Sequence, residues 1–174
     1  MIDTGIPVLD RRYRKTLAFL RAGVTPPATI LDLGSDNPFS SILREEGFEV
    51  RNTSGDLDLD VTSLDVDTEI ATAFEILEHL VSPFTVLTAI RAPRLFVTVP
   101  LKLWFAPAYR NETDPWDRHF HEFEPWQFEW LLEKAGWKII RKELWTSPVG
   151  RFGFRPLLRR YTPRYLAVEA RRSE

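Results

Sequence analysis

The stretch Thr29-Ile-Leu-Asp-Leu-Gly-Ser-Asp-Asn-Pro38 decides the fold of this chain. A short apolar run that ends in Asp32-Leu33-Gly34 and leads into a helix is typical of a buried first strand that delivers a cofactor-binding turn to the edge of a sheet. The turn is poor in glycine, because Asp36 and Pro38 stand where further glycines are common. Asn37-Pro38 nevertheless predicts a helix start, since asparagine favours the N-cap and proline the first helical position.

Strand and helix patterns alternate on both sides of this stretch. Strands are predicted at 29–33, 48–52, 69–74, 95–99, 137–145 and 165–170, with a weaker one at 58–61, and helices at 11–22, 39–46, 83–92 and 125–135. The pattern indicates one α/β domain over 1–174 with a mostly parallel sheet and helices on both faces. The last two strands leave no room for a helix between them, which predicts an antiparallel C-terminal edge hairpin. We expect residues 1–27 to form a helical lead-in and residues 101–116 an aromatic, lid-like insertion.

The composition limits the chemistry. The chain of 174 residues contains no cysteine, which excludes disulfides, thiolate metal sites and cysteine nucleophiles. Its net charge of −2 argues against a molecule built mainly to bind nucleic acid or membranes. No targeting pattern and no apolar run of membrane-spanning length is present, so we expect a cytoplasmic protein with no membrane partner.

Charge is distributed unevenly along the chain. Eight acidic residues and no basic one lie between Ser54 and Glu78, whereas five arginines and no acidic residue lie between Leu144 and Val168. The two segments are interpreted as a solvated acidic loop and a solvated basic tail. The alternative is that the mixture of arginine and aromatic residues around Arg151-Phe152 and Tyr161 receives a phosphorylated or polyanionic substrate.

The order of the motifs resembles that of class I S-adenosylmethionine-dependent methyltransferases. It is most similar to a small group in which a Glu-x-x-Glu-His element follows the fourth strand. The resemblance covers roughly residues 28–171. It rests on Ile30–Gly34, Phe74-Glu-Ile-Leu-Glu-His79, Phe96–Pro100, His121-Glu122-Phe123 and Lys134–Trp137.

The resemblance implies a Rossmann-like methyltransferase fold and a set of residues that bind S-adenosylmethionine. In the turn, Asp32 and Gly34 match the family pattern, and Asp36 replaces its second glycine. Asn52 stands where the family has an acidic residue that binds the ribose, and Asp60 stands near the adenine. The predicted cofactor-binding residues are therefore Asp32, Gly34, Ser35, Asp36, Asn52, Asp60 and Glu75.

The Glu-x-x-Glu-His element implies a second kind of site. In two related groups, which methylate quinone precursors and small RNAs, this element binds a divalent metal. The candidate ligands here are Glu75, Glu78, His79 and His121. Many relatives keep the element without a metal, in which case His79 or His121 is the candidate general base. His119 is interpreted as a solvent-facing or lid residue.

Three functions follow from these observations. The first is a methyltransferase that acts on a small or medium polar acceptor, most simply at oxygen, with a small-molecule substrate as its partner. The second is a non-catalytic protein of the same fold with a decayed cofactor cleft, which Asp36, Pro38 and the missing ribose acid favour. The third and weakest is a metal-dependent RNA 2′-O-methyltransferase, favoured by the basic C-terminal segment. The sequence carries no signal for an oligomeric state.

Overall fold

A computed structural model describes residues 2, 4–148 and 153–173. The strands are β1 (Thr29–Asp32), β2 (Glu49–Asn52), β3 (Ile70–Phe74), β4 (Arg94–Pro100), β5 (Trp137–Thr146) and β6 (Pro163–Arg172). The helices are α1 (Pro7–Gly23), α2 (Pro38–Glu45), α3 (Pro83–Ala89), α4 (Pro125–Lys134) and α5 (Phe154–Tyr161), with 3-10 turns at Thr62–Leu64, Leu77–His79 and Pro115–Asp117. Within the described residues, no helix is both long enough and apolar enough to cross a bilayer.

The six strands form one sheet in the order β2-β1-β3-β4-β6-β5. The pairs β1–β2, β1–β3 and β3–β4 are parallel, and β6 runs antiparallel to both β4 and β5. The predicted fold class is therefore confirmed: the sheet is mostly parallel with an antiparallel pair at its C-terminal edge. Because the chain moves from β1 to opposite sides of the sheet, β1 and β3 flank a switch point at which open α/β sheets bind ligands.

Alternation of side chains along the strands divides the core in two. Leu31, Leu95 and Val97 face one side of the sheet and pack with α3 and α4. Ile30 and Phe96 face the other side and pack with α1 and α2. Successive strand residues point to opposite faces, so these continuous apolar runs require cover on both sides. This confirms helices on both faces of the sheet.

The start of α2 follows the sequence prediction. Asn37 has extended backbone, and its Oδ1 accepts hydrogen bonds from the amides of Phe39 at 2.9 Å and Ser40 at 3.1 Å. Pro38 occupies the first helical position, where its missing N–H leaves no donor unpaired. The helix therefore begins without the glycines of the family pattern.

Two sequence predictions are wrong. The connection between β5 and β6 contains α5, an eight-residue helix with no buried residue. Phe154, Leu157 and Tyr161 recur at helical spacing, but the segment is short and contains Pro156, so the prediction overlooked it. No strand forms at 58–61: residues 57–59 make a turn, in which the amides of Leu59 and Asp60 donate to the carbonyl of Asp56. The Asp58 carboxylate accepts from the amides of Val81 and Ser82, both at 2.8 Å. That turn holds the acidic segment against the start of α3.

Candidate functional site

A cavity of about 250 Å³ lies at the switch point between β1 and β3. Its walls come from α1, from the turn between β1 and α2, and from the carboxyl ends of β3 and β4. Three of the predicted cofactor residues in the turn, Asp32, Gly34 and Ser35, line it, as does Glu75 after β3. The topology thus brings together residues that are more than 40 positions apart in the sequence.

Asp32 connects the turn to the neighbouring segments by hydrogen bonds. Its carboxylate is buried and accepts hydrogen bonds from the hydroxyls of Thr72 at 2.6 Å and Ser40 at 2.8 Å, and from the amide of Asn52 at 3.2 Å. Burial raises the pKa of Asp32, and these hydrogen bonds oppose the rise. The carboxylate fixes three segments relative to one another, which is a positioning role.

Gly34 meets two constraints that exclude a side chain. Its φ is +96°, a conformation that costs other residues about 1–2 kcal/mol, and a Cβ built here would lie 2.9 Å from Cδ1 of Ile76. Its amide donates to the hydroxyl of Thr53 at 2.7 Å. The turn and the segment after β3 are therefore in direct contact, and Ser35 follows at the cavity wall.

Asp36 points away from the cavity. Its carboxylate is 67% exposed and accepts from the Arg44 guanidinium at 2.7 Å, while the same guanidinium donates to Asn52 Oδ1 at 2.8 Å. The side-chain amide of Asn52 donates to Asp32 and to the Ser40 hydroxyl at 3.0 Å. Asp36 and Asn52, the two positions that depart from the family pattern, are thus joined by Arg44.

Asp60 lies in the acidic segment outside the cavity. Its side chain is exposed and accepts from the amide of Thr62 at 2.8 Å, a hydrogen bond that lowers the pKa of Asp60. The carboxylate closes a local turn before the first 3-10 turn. The structure places it apart from the residues that line the cavity.

Glu75 is the charged centre of the cavity. Its φ of +57° is unusual for a residue with a side chain, and such strain concentrates at functional sites. Its Oε2 lies 3.1 Å from Nη1 of Arg12, and the two side chains are 14% and 29% exposed. Burial raises the pKa of Glu75, and the Arg12 charge opposes the rise.

Two buried oxygens in this cavity lack a hydrogen bond of standard geometry, namely Oε1 of Glu75 and the hydroxyl of Thr98, within the part of the chain that the structure describes. The Thr98 hydroxyl is nevertheless close enough to Glu75 to oppose the rise that burial causes in the pKa of that carboxyl. Unpaired buried polar atoms cost about 1–3 kcal/mol each, so they are rare away from ligand sites. A cationic or hydrogen-donating group in the cavity would complete the hydrogen bonding of these oxygens.

A second set of polar groups lies one turn further along the chain. Glu78, His79 and His119 present ligand atoms that lie within 4.8 Å of one another. The backbone carbonyl of Glu78 accepts from the amides of Phe120 at 2.8 Å and His121 at 3.3 Å, which seats His119 against His79 with ring centroids 4.7 Å apart. The two segments are therefore locked together by backbone hydrogen bonds.

The electrostatics of this cluster suit a cation. Glu78 is 1% exposed, and its Oε2 has no hydrogen-bond partner among the described residues. Burial and then the charge of Glu75 raise the pKa of Glu78 well above its usual range. Burial lowers the pKa of His79, and burial with the charges of His79 and Arg164 lowers that of His119 to about 4.

Neutral imidazoles and one carboxylate form a donor set that fits a divalent transition metal. Nδ1 of His79 donates to the carbonyl of Arg118 at 3.1 Å, which leaves Nε2 directed at Glu78, 3.8 Å from its Oε1. Such a hydrogen bond from the second ring nitrogen is usual for histidines that ligate metals. The cluster and the Glu75 cavity adjoin, since the charge on Glu75 acts on Glu78.

The structure places two predicted ligands outside the cluster. Nε2 of His121 lies 3.3 Å from the carbonyl of Val81, and its ring stacks on Phe123. Glu75 faces Arg12 in the neighbouring cavity. The third member of the cluster is His119, which the sequence analysis assigned to a solvent-facing or lid position.

A further cavity of about 340 Å³ opens beside His119. It is lined by Tyr109–Glu112 and by Arg118–Phe120. Tyr109 packs on the His119 ring, with ring centroids 4.4 Å apart. The predicted insertion at 101–116 therefore contributes a wall to this cavity, while its Trp104 and Trp116 are 71% and 75% exposed.

Sequence reasoning missed Arg12, Tyr13, Thr98 and His119 as site residues. Arg12 is one of several basic residues in α1, and no local pattern distinguishes it from Arg11 or Arg14. Thr98 lies inside an apolar strand, where a threonine is unremarkable. Only the packing of α1 across the carboxyl ends of β1 and β3 brings Arg12 to Glu75.

No family model and no curated protein matches the sequence. The structure is similar to 1,6-didemethyltoxoflavin-N1-methyltransferase from Burkholderia thailandensis, solved with 1,6-didemethyltoxoflavin and S-adenosylhomocysteine bound. The TM-score is 0.61 at 20% identity, over 93% of this chain and 78% of that one. It is also similar to magnesium protoporphyrin IX methyltransferase from Synechocystis with S-adenosylhomocysteine bound, with a TM-score of 0.59 at 12% identity, over 99% and 89% of the chains.

A [4+2]-cyclase is similar as well, with a TM-score of 0.57 at 18% identity, over 92% of this chain and 81% of that one. These likenesses confirm the Rossmann-like class I methyltransferase fold that the order of motifs predicts. At such identities they concern the fold alone, and the cyclase shows that proteins of this fold are not confined to one reaction.

Proposed function

We propose that this protein binds S-adenosylmethionine in the cavity at the β1–β3 switch point and transfers its methyl group to a small polar acceptor, most simply at oxygen. One observation carries the proposal. The half-buried pair Arg12–Glu75 lines the same cavity as the Gly34 turn, and the buried Oε1 of Glu75 makes no hydrogen bond of standard geometry among the described residues. The methionine end of S-adenosylmethionine carries a carboxylate, an ammonium and a sulfonium, so its charges complement this pair.

Each residue of the pair has a distinct role in this proposal. The Arg12 guanidinium binds the carboxylate of the ligand, and Glu75 accepts a hydrogen bond from its ammonium. Gly34 has no side chain, so the ligand can lie directly against the backbone of the turn. Methyl transfer needs positioning and exclusion of water more than proton transfer, so these contacts supply most of the catalysis.

The acceptor is proposed to bind in the cavity beside His119. That imidazole is neutral at pH 7, because its pKa is lowered to about 4, and it borders the cavity wall. A neutral imidazole next to an acceptor hydroxyl can take its proton as the methyl group arrives. His79 supports it from the side away from the cavity.

The alternative to His119 acting as a base is that Glu78, His79 and His119 together form a divalent metal site, since a neutral imidazole that ligates a metal has no free nitrogen left to accept a proton. A bound ion would lower the pKa of an acceptor hydroxyl. Unpartnered Oε2 of Glu78 and the short separation of the three ligand atoms support the site. His121 is not included, since its Nε2 faces the Val81 carbonyl.

A non-catalytic protein is the second candidate, and two observations favour it. The cavity of about 250 Å³ lies below the range of roughly 300–1,000 Å³ that is common for sites holding drug-sized ligands. Asn52 has an amide where the family has the carboxylate that holds the ribose. That amide already bonds Asp32, Ser40 and Arg44, so it is not free to bind a ribose hydroxyl. A cleft that is small and lacks the ribose contact would favour a fragment of S-adenosylmethionine over the complete cofactor.

Calorimetric titration of the full chain with S-adenosylmethionine and S-adenosylhomocysteine tests the main proposal. We expect saturable binding that Glu75→Gln weakens at least tenfold, with Glu69→Gln as the control acid just before the same strand. No heat from the wild type at millimolar ligand overturns methyl transfer and favours the non-catalytic candidate. Binding that Glu75→Gln leaves unchanged overturns the assignment of this cavity.

Titration of chelator-treated protein with Mn²⁺, followed by the electron paramagnetic resonance of the free ion, tests the metal proposal. We expect His119→Ala to abolish binding and His121→Ala to leave it within about twofold. Loss in His121→Ala with retention in His119→Ala would contradict the cluster and restore the ligand set that the sequence predicts.

A further inference from the structure

Helix α5 projects an apolar surface into solvent. Phe154, Leu157 and Tyr161 are 72%, 52% and 77% exposed, and no residue of the helix is buried. Their spacing of three and four residues places all three on one side of the helix. A helix that exposes its apolar side pays a hydration cost in water unless a partner covers that side.

The flanks of this apolar side are basic. Arg155 and Arg160 lie on either side of it, with Arg159 beyond Arg155. Among the residues that the structure describes, none of these three arginines forms an ion pair. The sequence contains no acidic residue from Leu144 to Val168, so no neighbour along this segment can neutralise them. The partner of α5 must therefore offer both negative charge and an apolar environment.

The helix lies at the same edge of the sheet as the two cavities. Because β5 runs parallel to β4, it ends where the parallel strands end, and α5 follows that end. The segment after β4 meets the same edge and exposes further aromatic side chains, with Trp104 71%, Trp116 75% and Phe120 52% exposed. Exposed apolar residues thus come from two separate segments around the mouth of the site.

We propose that α5 is an interfacial anchor that lays this edge of the protein on an anionic phospholipid surface. Phe154, Leu157 and Tyr161 would enter the boundary between headgroups and acyl chains, and the arginines would reach the lipid phosphates. A nucleic acid fits less well, because it offers phosphates and base faces and nothing that buries Leu157. A helix of this kind lies in the plane of the membrane surface, so it needs no spanning segment. This proposal differs from the sequence expectation of no membrane partner.

Two kinds of contact contribute to this binding, and they can be separated. Each arginine near an anionic surface strengthens binding roughly fivefold, so three contribute about a hundredfold, and this contribution is screened by salt. The apolar side chains contribute in a manner that salt does not weaken. Binding therefore needs both contributions, because one short helix has a small apolar area.

Flotation of the full chain with large vesicles tests the proposal. We expect binding to vesicles of phosphatidylcholine with about 30% phosphatidylserine, and little binding to phosphatidylcholine alone. Phe154→Ser/Leu157→Ser and Arg155→Gln/Arg159→Gln/Arg160→Gln should each reduce the partition coefficient, the second about a hundredfold. Leu59→Ser is the matched control, since Leu59 is 85% exposed in the acidic segment and should bind as the wild type does.

Far-ultraviolet circular dichroism of each variant confirms that the fold is kept, as expected for substitutions on a helix with no buried residue. Failure of the wild type to bind anionic vesicles overturns the proposal. So does equal binding by the wild type and Phe154→Ser/Leu157→Ser. Tighter binding to a single-stranded oligonucleotide than to the vesicles, lost in the arginine variant and kept in the apolar variant, would identify a polyanion as the partner instead.

Discussion

Two polar regions lie on either side of the same cavity, and they differ in how far their hydrogen bonds are satisfied. In the turn after β1 and at the adjoining end of β2, the side chains of Asp32, Asp36 and Asn52 are all bonded within the protein, directly or through Arg44. In the segment after β3, Glu75 and Glu78 each keep a buried oxygen without a partner among the described residues. Unsatisfied buried groups are costly, so their position in this segment supports the proposal that a ligand binds there.

This difference bears on what the departures from the family pattern mean for function. Asp36 and Pro38 depart from the family pattern, yet they belong to a turn that is complete without a ligand. Glu75 matches the pattern. The fold holds it at a positive φ, and its buried Oε1 lacks a standard hydrogen bond among the described residues. Departure from a motif and loss of function are therefore separate questions in this molecule.

Removal of Arg12 should have the largest effect, because it leaves the half-buried Glu75 without its cationic partner. We expect Arg12→Met to lower the free energy of unfolding by about 2–3 kcal/mol, somewhat less than for a fully buried pair because Arg12 keeps contact with water. Denaturant unfolding at pH 7 measures the loss. Arg14→Met, on the exposed side of α1, should change stability by less than about 0.5 kcal/mol.

A second substitution separates the charge effect from packing. Adding Glu75→Gln to Arg12→Met removes the unpaired charge and should recover part of the loss. The loss in Arg12→Met should also grow as pH rises, because burial disfavours the ionised form of Glu75. Equal stability of Arg12→Met and Arg14→Met would show that the pair is not formed in solution, and the contrast between the two regions would fail.

Gly34→Ala should have the next largest effect, because it strains the turn and presses on Ile76. Gly55 provides a matched control with a φ of +80° and no atom within 4 Å of the position that a Cβ would take, so Gly55→Ala reports the conformational cost alone. We expect about 1 kcal/mol for Gly55→Ala and about 2 kcal/mol for Gly34→Ala. Thermal and denaturant unfolding measure both.

Ile76→Val identifies the contact that makes the difference. This substitution removes Cδ1, the atom that would lie 2.9 Å from a Cβ at position 34, and the next atom of Ile76 lies at 3.8 Å. In the Ile76→Val background, Gly34→Ala should therefore cost no more than Gly55→Ala. An unchanged excess cost would place the strain elsewhere in the turn.

Glu78→Gln should have a smaller effect whose sign depends on pH. The folded-state pKa of Glu78 is raised by burial and by Glu75, so the folded protein holds a proton that the unfolded chain releases. Stability is then full below the ordinary glutamate pKa and falls as pH rises towards the folded-state pKa. We expect Glu78→Gln, measured in chelator, to match the wild type near pH 4 and to exceed it by about 1 kcal/mol at pH 8.

Glu133→Gln, an exposed position on α4, serves as the control and should follow the wild type at every pH. A wild-type stability that rises between pH 5 and pH 8 relative to Glu78→Gln would contradict a buried, unsatisfied carboxyl group. Addition of Mn²⁺ at pH 8 should reverse the difference, because the ion supplies the missing partner of Glu78.

Much of the fold follows from the sequence, because apolar periodicity specifies it directly. The continuous run at β4 and the Asn37-Pro38 start of α2 both appear where the pattern predicts. The site is less predictable, since local sequence does not reveal that Arg12 meets Glu75 across 63 positions or that His119, and not His121, faces His79. Helix α5 has apolar residues at helical spacing, and the prediction overlooked it because the segment is short and contains Pro156.

Asp36→Ala should have the smallest effect, although Asp36 is the most conspicuous departure in the sequence. Its carboxylate is 67% exposed and bonds a guanidinium that Asn52 also holds, so its removal leaves Arg44 in place. Exposed ion pairs contribute about 0–1 kcal/mol, and we expect a loss below about 0.5 kcal/mol, equal within error to that of exposed Asp67→Ala. Affinity for S-adenosylmethionine should change less than about threefold, because the carboxylate points away from the cavity. A tenfold gain in affinity would mean that Asp36 repels the ligand and that the cleft has decayed. A tenfold loss would make Asp36 a ligand contact. Either result would remove the distinction between a complete turn and an incomplete site.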